Sequence, residues 1–176
     1  LSGCGVGFKL VEAYARRNNI PFSEIEHLLD LLVVSIASDI VPLVDENRIF
    51  VKQGLEMLKR TKNKGLKALI ECTGVDVNRL SAYHIGFVIG PCLNASGRLD
   101  TAKRALELLC AKTNKEADVL AGDLKALNDS RKDMTAEAVE EAVQMIEESS
   151  LKHDKVLVVY LPECHESLAG IVAGRI

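Results

Sequence analysis

The stretch "NKEADVLAGDLKALNDSRKDMTAEAVEEAVQMIEES" (114–149) decides how this 176-residue sequence folds. It contains no proline and a single glycine, Gly122. Apolar residues recur at Ala117, Leu120, Leu124, Leu127, Met134, Ala138, Ala142 and Met145, mostly three or four apart, which is the period of an α-helix with one buried face. Thr113 and Glu116, at its start, have the spacing of a capping box. At 1.5 Å per residue the helix would run about 54 Å. Arg131 falls where the seam asks for an apolar residue. Such a helix either packs along its length on neighbours or acts as a rigid strut joining two domains.

The segments before it are also helical in pattern. "GVGFKLVEAYARRNN" (5–19) spaces Val6, Leu10, Val11, Tyr14 and Ala15 for a helix, and its glycines suggest close packing against another element. After Pro21, Ser23 and Glu26 offer a capping box for "EIEHLLDLLVVSIAS" (24–38), whose middle is apolar on nearly all sides and should be buried. Pro42 forbids its continuation. "RIFVKQGLEMLKRTKNK" (48–64) reads as an amphipathic helix with a basic last turn, as the helix dipole favours. "LKALIECTG" (66–74) and "TAKRALELLCAK" (101–112) read as shorter helices. Between these two lies "HIGFVIGPCLNASGRLD" (84–100), where Gly86, Gly90, Pro91 and Gly97 predict a flexible polar elbow.

Past the long segment the pattern changes. "KVLVVY" (155–160) is the one strong β signal, and "LPECHESLAGIVAGRI" (161–176) reads as a loop and the start of a helix. The expected fold is mostly α with a short β element and a domain boundary near Leu151 to Asp154. The sequence starts at Leu1 and stops inside a helical pattern, so it reads as a piece of a longer protein. The five cysteines form no C-x-x-C pair, which predicts a reducing, cytoplasmic setting. A net charge of −3 argues against a surface blanketed in positive charge but leaves room for a local anion site.

Three places can carry chemistry. Asp39 ends the most apolar helix, and a carboxylate in such surroundings either turns to water or takes a partner such as a divalent cation. The elbow ends in Arg98, whose planar fork of donors suits phosphate. Asn94, Ser96 and Gly97 beside it offer donors and backbone freedom. The bland alternative is a structural loop with Arg98 in an ion pair. His165 follows the predicted strand at a strand-to-helix corner, a common ligand position in open α/β sheets, or is simply a surface histidine. Aromatic residues are few and not interleaved with basic ones, so no base-stacking platform is visible.

Taken in order, "SIASDIVPLVDENR" (35–48), "IGPCLNASGRLD" (89–100), "LNDSRKDMTAEAVEEA" (127–142) and "ECHESLAGIVAGRI" (163–176) resemble the RecJ branch of the DHH phosphoesterase superfamily, with "SGCGVGFKL" (2–10) similar to the segment after its DHH motif. The resemblance implies the C-terminal part of a DHH-type α/β domain over residues 1–112, a long connector helix over 113–150, and a truncated start of the DHH-associated, substrate-binding α/β domain over 151–176. It implies a 5′→3′ exonuclease of single-stranded DNA acting in repair and recombination. Two manganese or magnesium ions, held mostly by residues outside this sequence, would activate water and stabilise the leaving oxygen. Asp39 would be a metal ligand. Asn94, Ser96, Gly97 and Arg98 would contact substrate phosphate, with Arg98 also catalytic, and His165 would help to hold DNA. Single-stranded DNA is the implied ligand of an intact enzyme that is monomeric and works beside a single-strand-binding protein and a helicase, with no membrane partner. The fragment by itself should neither bind the catalytic metal tightly nor cut DNA. Family members usually carry arginine at Cys92, tryptophan at Cys164 and alanine at Ser38. A phosphodiesterase of short oligonucleotides or cyclic dinucleotides, and a non-catalytic helical scaffold, are the competing readings.

Overall fold

Helices account for all the regular structure, and no β-strand forms. The computed structural model describes all residues, 1–176. In chain order the helices are α1 (Gly3–Arg17), α2 (Leu29–Ser38), α3 (Asp45–Lys59), α4 (Lys64–Cys72), α5 (Ala82–His84), α6 (Gly90–Leu99), α7 (Lys103–Leu109), α8 (Asn114–Glu147) and α9 (Glu166–Arg175). None is long and apolar enough to cross a membrane.

The all-round apolar pattern of α2 puts it at the centre, with Leu32, Val33 and Ile36 completely buried. It packs on α3 and α1, and Phe8 of α1 meets Phe50 of α3 edge-to-face at 5.5 Å. The buried carboxylate of this helix is Asp30, which accepts from the Thr61 hydroxyl at 2.6 Å and from the Leu31 N–H. The expected Ser23–Glu26 box does not form. Residues 22–28 make two short 3₁₀ turns without side-chain caps, because Ile25, between the turns, is drawn into the core and breaks the ladder.

The long helix forms as its sequence requires. Thr113 accepts from the Glu116 N–H at 3.1 Å, and the Glu116 carboxylate reaches back to the Lys112 N–H at 2.8 Å, one residue earlier than an ideal capping box. Its buried face runs through Ala117, Ala121, Leu124, Asn128, Thr135, Ala138, Ala142 and Ile146, a seam of mainly small residues. Met145, expected on that face, is exposed. Arg131 does not interrupt the seam; it lies on it, between Asn128 and Thr135.

The elbow is a helix, which corrects the loop expected there. Residues Ile85–Ile89 form a widened π turn that runs into α6. Pro91 has no N–H to give and its ring crowds the preceding turn, and the wider turn accommodates both defects. Two of the glycines serve close approach rather than flexibility. A Cβ on Gly86 would lie 2.9 Å from the Ala37 carbonyl oxygen, and one on Gly90 would lie 2.3 Å from the Ser38 hydroxyl. The start of α6 therefore rides directly over the last turn of α2.

The strand expected over 155–160 is also corrected. Its alternation is partial: Val159 and Leu161, with the edge residue Leu157, line an apolar cavity of about 270 Å³, Leu157 staying 42% exposed, while Val156, Val158 and Tyr160 face solvent. A strand needs a neighbour to share its hydrogen bonds. No second extended segment runs beside it, so the residues stay unpaired. Beneath them Ala138, Ala142 and Val172 form a small core of their own between α8 and α9, apart from the 24 buried residues that unite α1 through the first half of α8.

Candidate phosphate-binding site

Asp39 caps the C-terminal end of α2 and is exposed. The chain leaves the helix through a Schellman turn: the Ile40 N–H bonds the Ala37 carbonyl and the Val41 N–H bonds the Ile36 carbonyl at 3.1 Å. That turn normally carries glycine at its left-handed residue, yet Ile40 stands there with φ of 50°. A β-branched residue in that region is strained, and strain of this kind collects at functional positions. Asn47 holds the following loop by donating to the Pro42 carbonyl at 3.0 Å.

From this tip α6 carries the remaining residues outward. Gly90 touches Ser38, Asn94 lies one turn further, and Arg98 lies two turns on, about 12 Å along the helix at 1.5 Å per residue. Asn94, Gly97 and Arg98 are exposed, whereas Ser96 is fully buried and donates its hydroxyl to the Leu93 carbonyl. Asp39 ends α2 beside the start of α6, Arg98 lies in the last turn of α6, and no hydrogen bond or ion pair joins them.

Arg98 meets the C-terminal residues instead. Its Nη1 donates to the Ser167 carbonyl at 2.8 Å, and the Ser167 hydroxyl donates back to the Arg98 carbonyl at 3.1 Å. His165 is the N-cap of α9, its Nδ1 accepting from the Ser167 N–H at 3.2 Å. The structure therefore gathers Arg98 and His165, which lie 67 positions apart in the sequence.

Two further arginines belong to this junction and were not singled out as ligands from the sequence. Burial lowers the pKa of the half-buried Arg131, and the charges of Arg98 on α6 and Arg175 on α9 lower it further, so both cations lie within electrostatic reach of Arg131. Arg131 is steadied by its Nε–H donating to the Asn128 amide oxygen at 3.2 Å, while the Thr135 hydroxyl bonds the Arg131 carbonyl. None of the three arginines is in an ion pair with a carboxylate. Unpaired cations within electrostatic reach of one another repel unless an anion sits between them. The signal for Arg131 was present in the sequence as a polar triplet, Asn128, Arg131 and Thr135, set into an apolar seam.

The departures at the two cysteines are structural. Cys92 is buried against α8, its thiol raised in pKa chiefly by burial and donating to the Val88 carbonyl. Cys164 lines the apolar cavity under residues 157–161. All five cysteines are free thiols. The donors present do not make a metal centre. No three His, Cys, Asp or Glu side chains gather anywhere in the chain, and Asp39 alone is one carboxylate where magnesium or manganese takes about six ligands.

No protein-family model matches the chain. Six curated relatives named single-stranded-DNA-specific exonuclease RecJ are 33–38% identical to it. The one from Bacillus subtilis is 38% identical over 176 residues, which is 100% of this chain and 22% of the relative. A crystal structure of RecJ in complex with Mg²⁺ from Thermus thermophilus superposes with a TM-score of 0.86 at 32% identity, covering 97% of this chain and 26% of that one. A crystal structure of exonuclease RecJ bound to manganese gives 0.85, covering 97% and 42%. The chain thus spans between a fifth and a third of the length of the curated RecJ relatives.

Proposed function

We propose that this chain is a segment of a RecJ-type exonuclease and supplies the phosphate-holding wall of its cleft. The observation that carries the reading is that Arg98 and His165 meet at Ser167, with Arg131 and Arg175 within electrostatic reach and none of the three arginines in an ion pair. Guanidinium forks bind phosphate oxygens in charge-assisted pairs and stabilise charge as it develops on a phosphoryl group. Asn94 lies between the arginines and Asp39 and adds an amide donor. His165 offers Nε2, since Nδ1 is engaged by Ser167. Ser96 holds α6 rather than substrate. Asp39 is the one ligand this chain contributes towards the magnesium or manganese that its structural relatives bind, with the other ligands supplied from outside the chain. The cation would supply Lewis-acid activation of water; the residues here orient and hold the phosphodiester.

The full reading is a 5′→3′ exonuclease of single-stranded DNA serving repair and recombination in the cytoplasm, with residues 1–112 and 151–176 forming the two sides of the cleft and 113–150 connecting them. A monomeric enzyme assisted by a single-strand-binding protein and a helicase fits that role. The segment alone is inactive. The test is Arg98→Ala in the full-length protein that carries this chain. Affinity for a single-stranded oligonucleotide should fall about ten-fold, and the slope of log affinity against log salt should flatten by about 0.7 for the lost phosphate contact. An unchanged slope rejects the phosphate site. A substrate-length series separates an exonuclease from a phosphodiesterase of short oligonucleotides.

A further inference from the structure

Residues 155–176 share with α8 a core of three buried side chains, Ala138, Ala142 and Val172, and join the rest of the chain by two hydrogen bonds, both between Arg98 and Ser167. The two bonds are reciprocal. The Arg98 side chain donates to the Ser167 backbone, and the Ser167 hydroxyl reaches the Arg98 carbonyl at 3.1 Å while also lying 2.8 Å from His165 Nδ1. Each residue thereby fixes the other's main chain. An arginine has five N–H donors, and one is spent on the Ser167 carbonyl, so the rest of the fork stays free for an anion. The Ser167 N–H is itself bound to His165 Nδ1, so the clasp connects both residues through which the proposed cleft would hold DNA.

We propose that Ser167 is a positioning residue for Arg98, and that the Arg98–Ser167 clasp sets the distance between the two sides of the phosphate site. This rests on the phosphate reading above. A flexible exposed arginine loses rotamer freedom when it binds phosphate, and the clasp has already removed much of that freedom. The Ser167 hydroxyl holds the end of α6 from which the fork projects, and its loss leaves the guanidinium pointing at the same carbonyl from a looser backbone.

The test is a double-mutant cycle in the full-length protein, read as affinity for a single-stranded DNA oligonucleotide with chelator present. Ser167→Ala should weaken binding about 3- to 10-fold, the worth of one hydrogen bond, and Ser167→Thr should restore it to within about two-fold. In the Arg98→Ala background, Ser167→Ala should have no further effect beyond about two-fold. A serine that merely caps α9 or props the C-terminal residues would lower affinity equally in both backgrounds, and that additivity overturns the proposal. So does wild-type affinity in Ser167→Ala when Arg98→Ala is impaired, which leaves the phosphate reading standing. Wild-type affinity in Arg98→Ala overturns both.

Discussion

The two ends of α8 rest on unequal foundations. Its first half, through Leu124, is part of a core of 24 buried apolar residues drawn from α1, α2, α3, α4, α6 and α7 and the turns between them, whereas its second half shares three, Ala138, Ala142 and Val172, with α9. Between the two lies the polar stretch Asn128, Arg131 and Thr135, where a third cation joins Arg98 and Arg175. Stability and the proposed phosphate chemistry therefore fall on different parts of one helix. The large core fixes the direction of α8, and the small one only has to keep α9 within reach of Arg98. A ligand site built on a firm wall and a lightly held one can adjust to its ligand, because elements with few buried contacts open at low cost.

The sharpest way to break this comparison is to damage each core in turn. Leu124 is completely buried, and Leu124→Ala should cost about 2–5 kcal/mol by leaving a cavity. Thermal or denaturant unfolding of the whole chain would read that loss. Val172→Ala should cost about 1 kcal/mol and raise amide exchange in residues 154–176 alone. If Val172→Ala lowers the global transition as far as Leu124→Ala does, the two cores are one cooperative unit and the contrast fails.

A middle-sized effect is expected at the polar stretch itself. Arg131→Met keeps much of the side-chain volume and removes the charge. Oligonucleotide affinity of the full-length protein should fall about ten-fold, as expected for a charge-assisted bond. Folding stability should move by less than about 1 kcal/mol, since relief of burial and of repulsion by Arg98 and Arg175 offsets the lost bond to Asn128. A large stability loss with unchanged affinity would make Arg131 a structural residue.

These contrasts mark what the sequence could disclose. Periodicity located α8 to within two residues and buried α2, because both obey the 3.6-residue rule over a long stretch. The elbow misled for a physical reason. Glycine and proline signal a break when read locally, whereas here Gly86 and Gly90 admit the last turn of α2 and a π turn absorbs Pro91. The strand misled because alternation shows which side of a segment is buried, while a ladder depends on a partner strand. At the proposed site, Asp39, Arg98 and His165 are named by family resemblance, whereas Arg131 looks like a flaw in an apolar seam and Arg175 carries no signal of its own. Their meaning lies in proximity to Arg98, which belongs to the packing of α6, α8 and α9 and to no single stretch of sequence.

The smallest effect is expected at the far end of α6, where the strained turn presents Asp39. Ile40 is 70% exposed, so its side chain buries little, and its left-handed backbone costs about 1–2 kcal/mol that glycine avoids. Glycine brings back about 0.5–1 kcal/mol of unfolded-state entropy. Ile40→Gly should therefore raise stability by up to about 1 kcal/mol, measured by denaturant unfolding. If the strain serves to hold Asp39, turnover of the full-length protein should fall while oligonucleotide affinity, set at the arginines towards the other end of α6, stays within about two-fold. A loss of stability on Ile40→Gly would mean that the side chain packs usefully and stores no strain. A matching fall in affinity would mean that the tip of α2 and the arginine junction act as a single site.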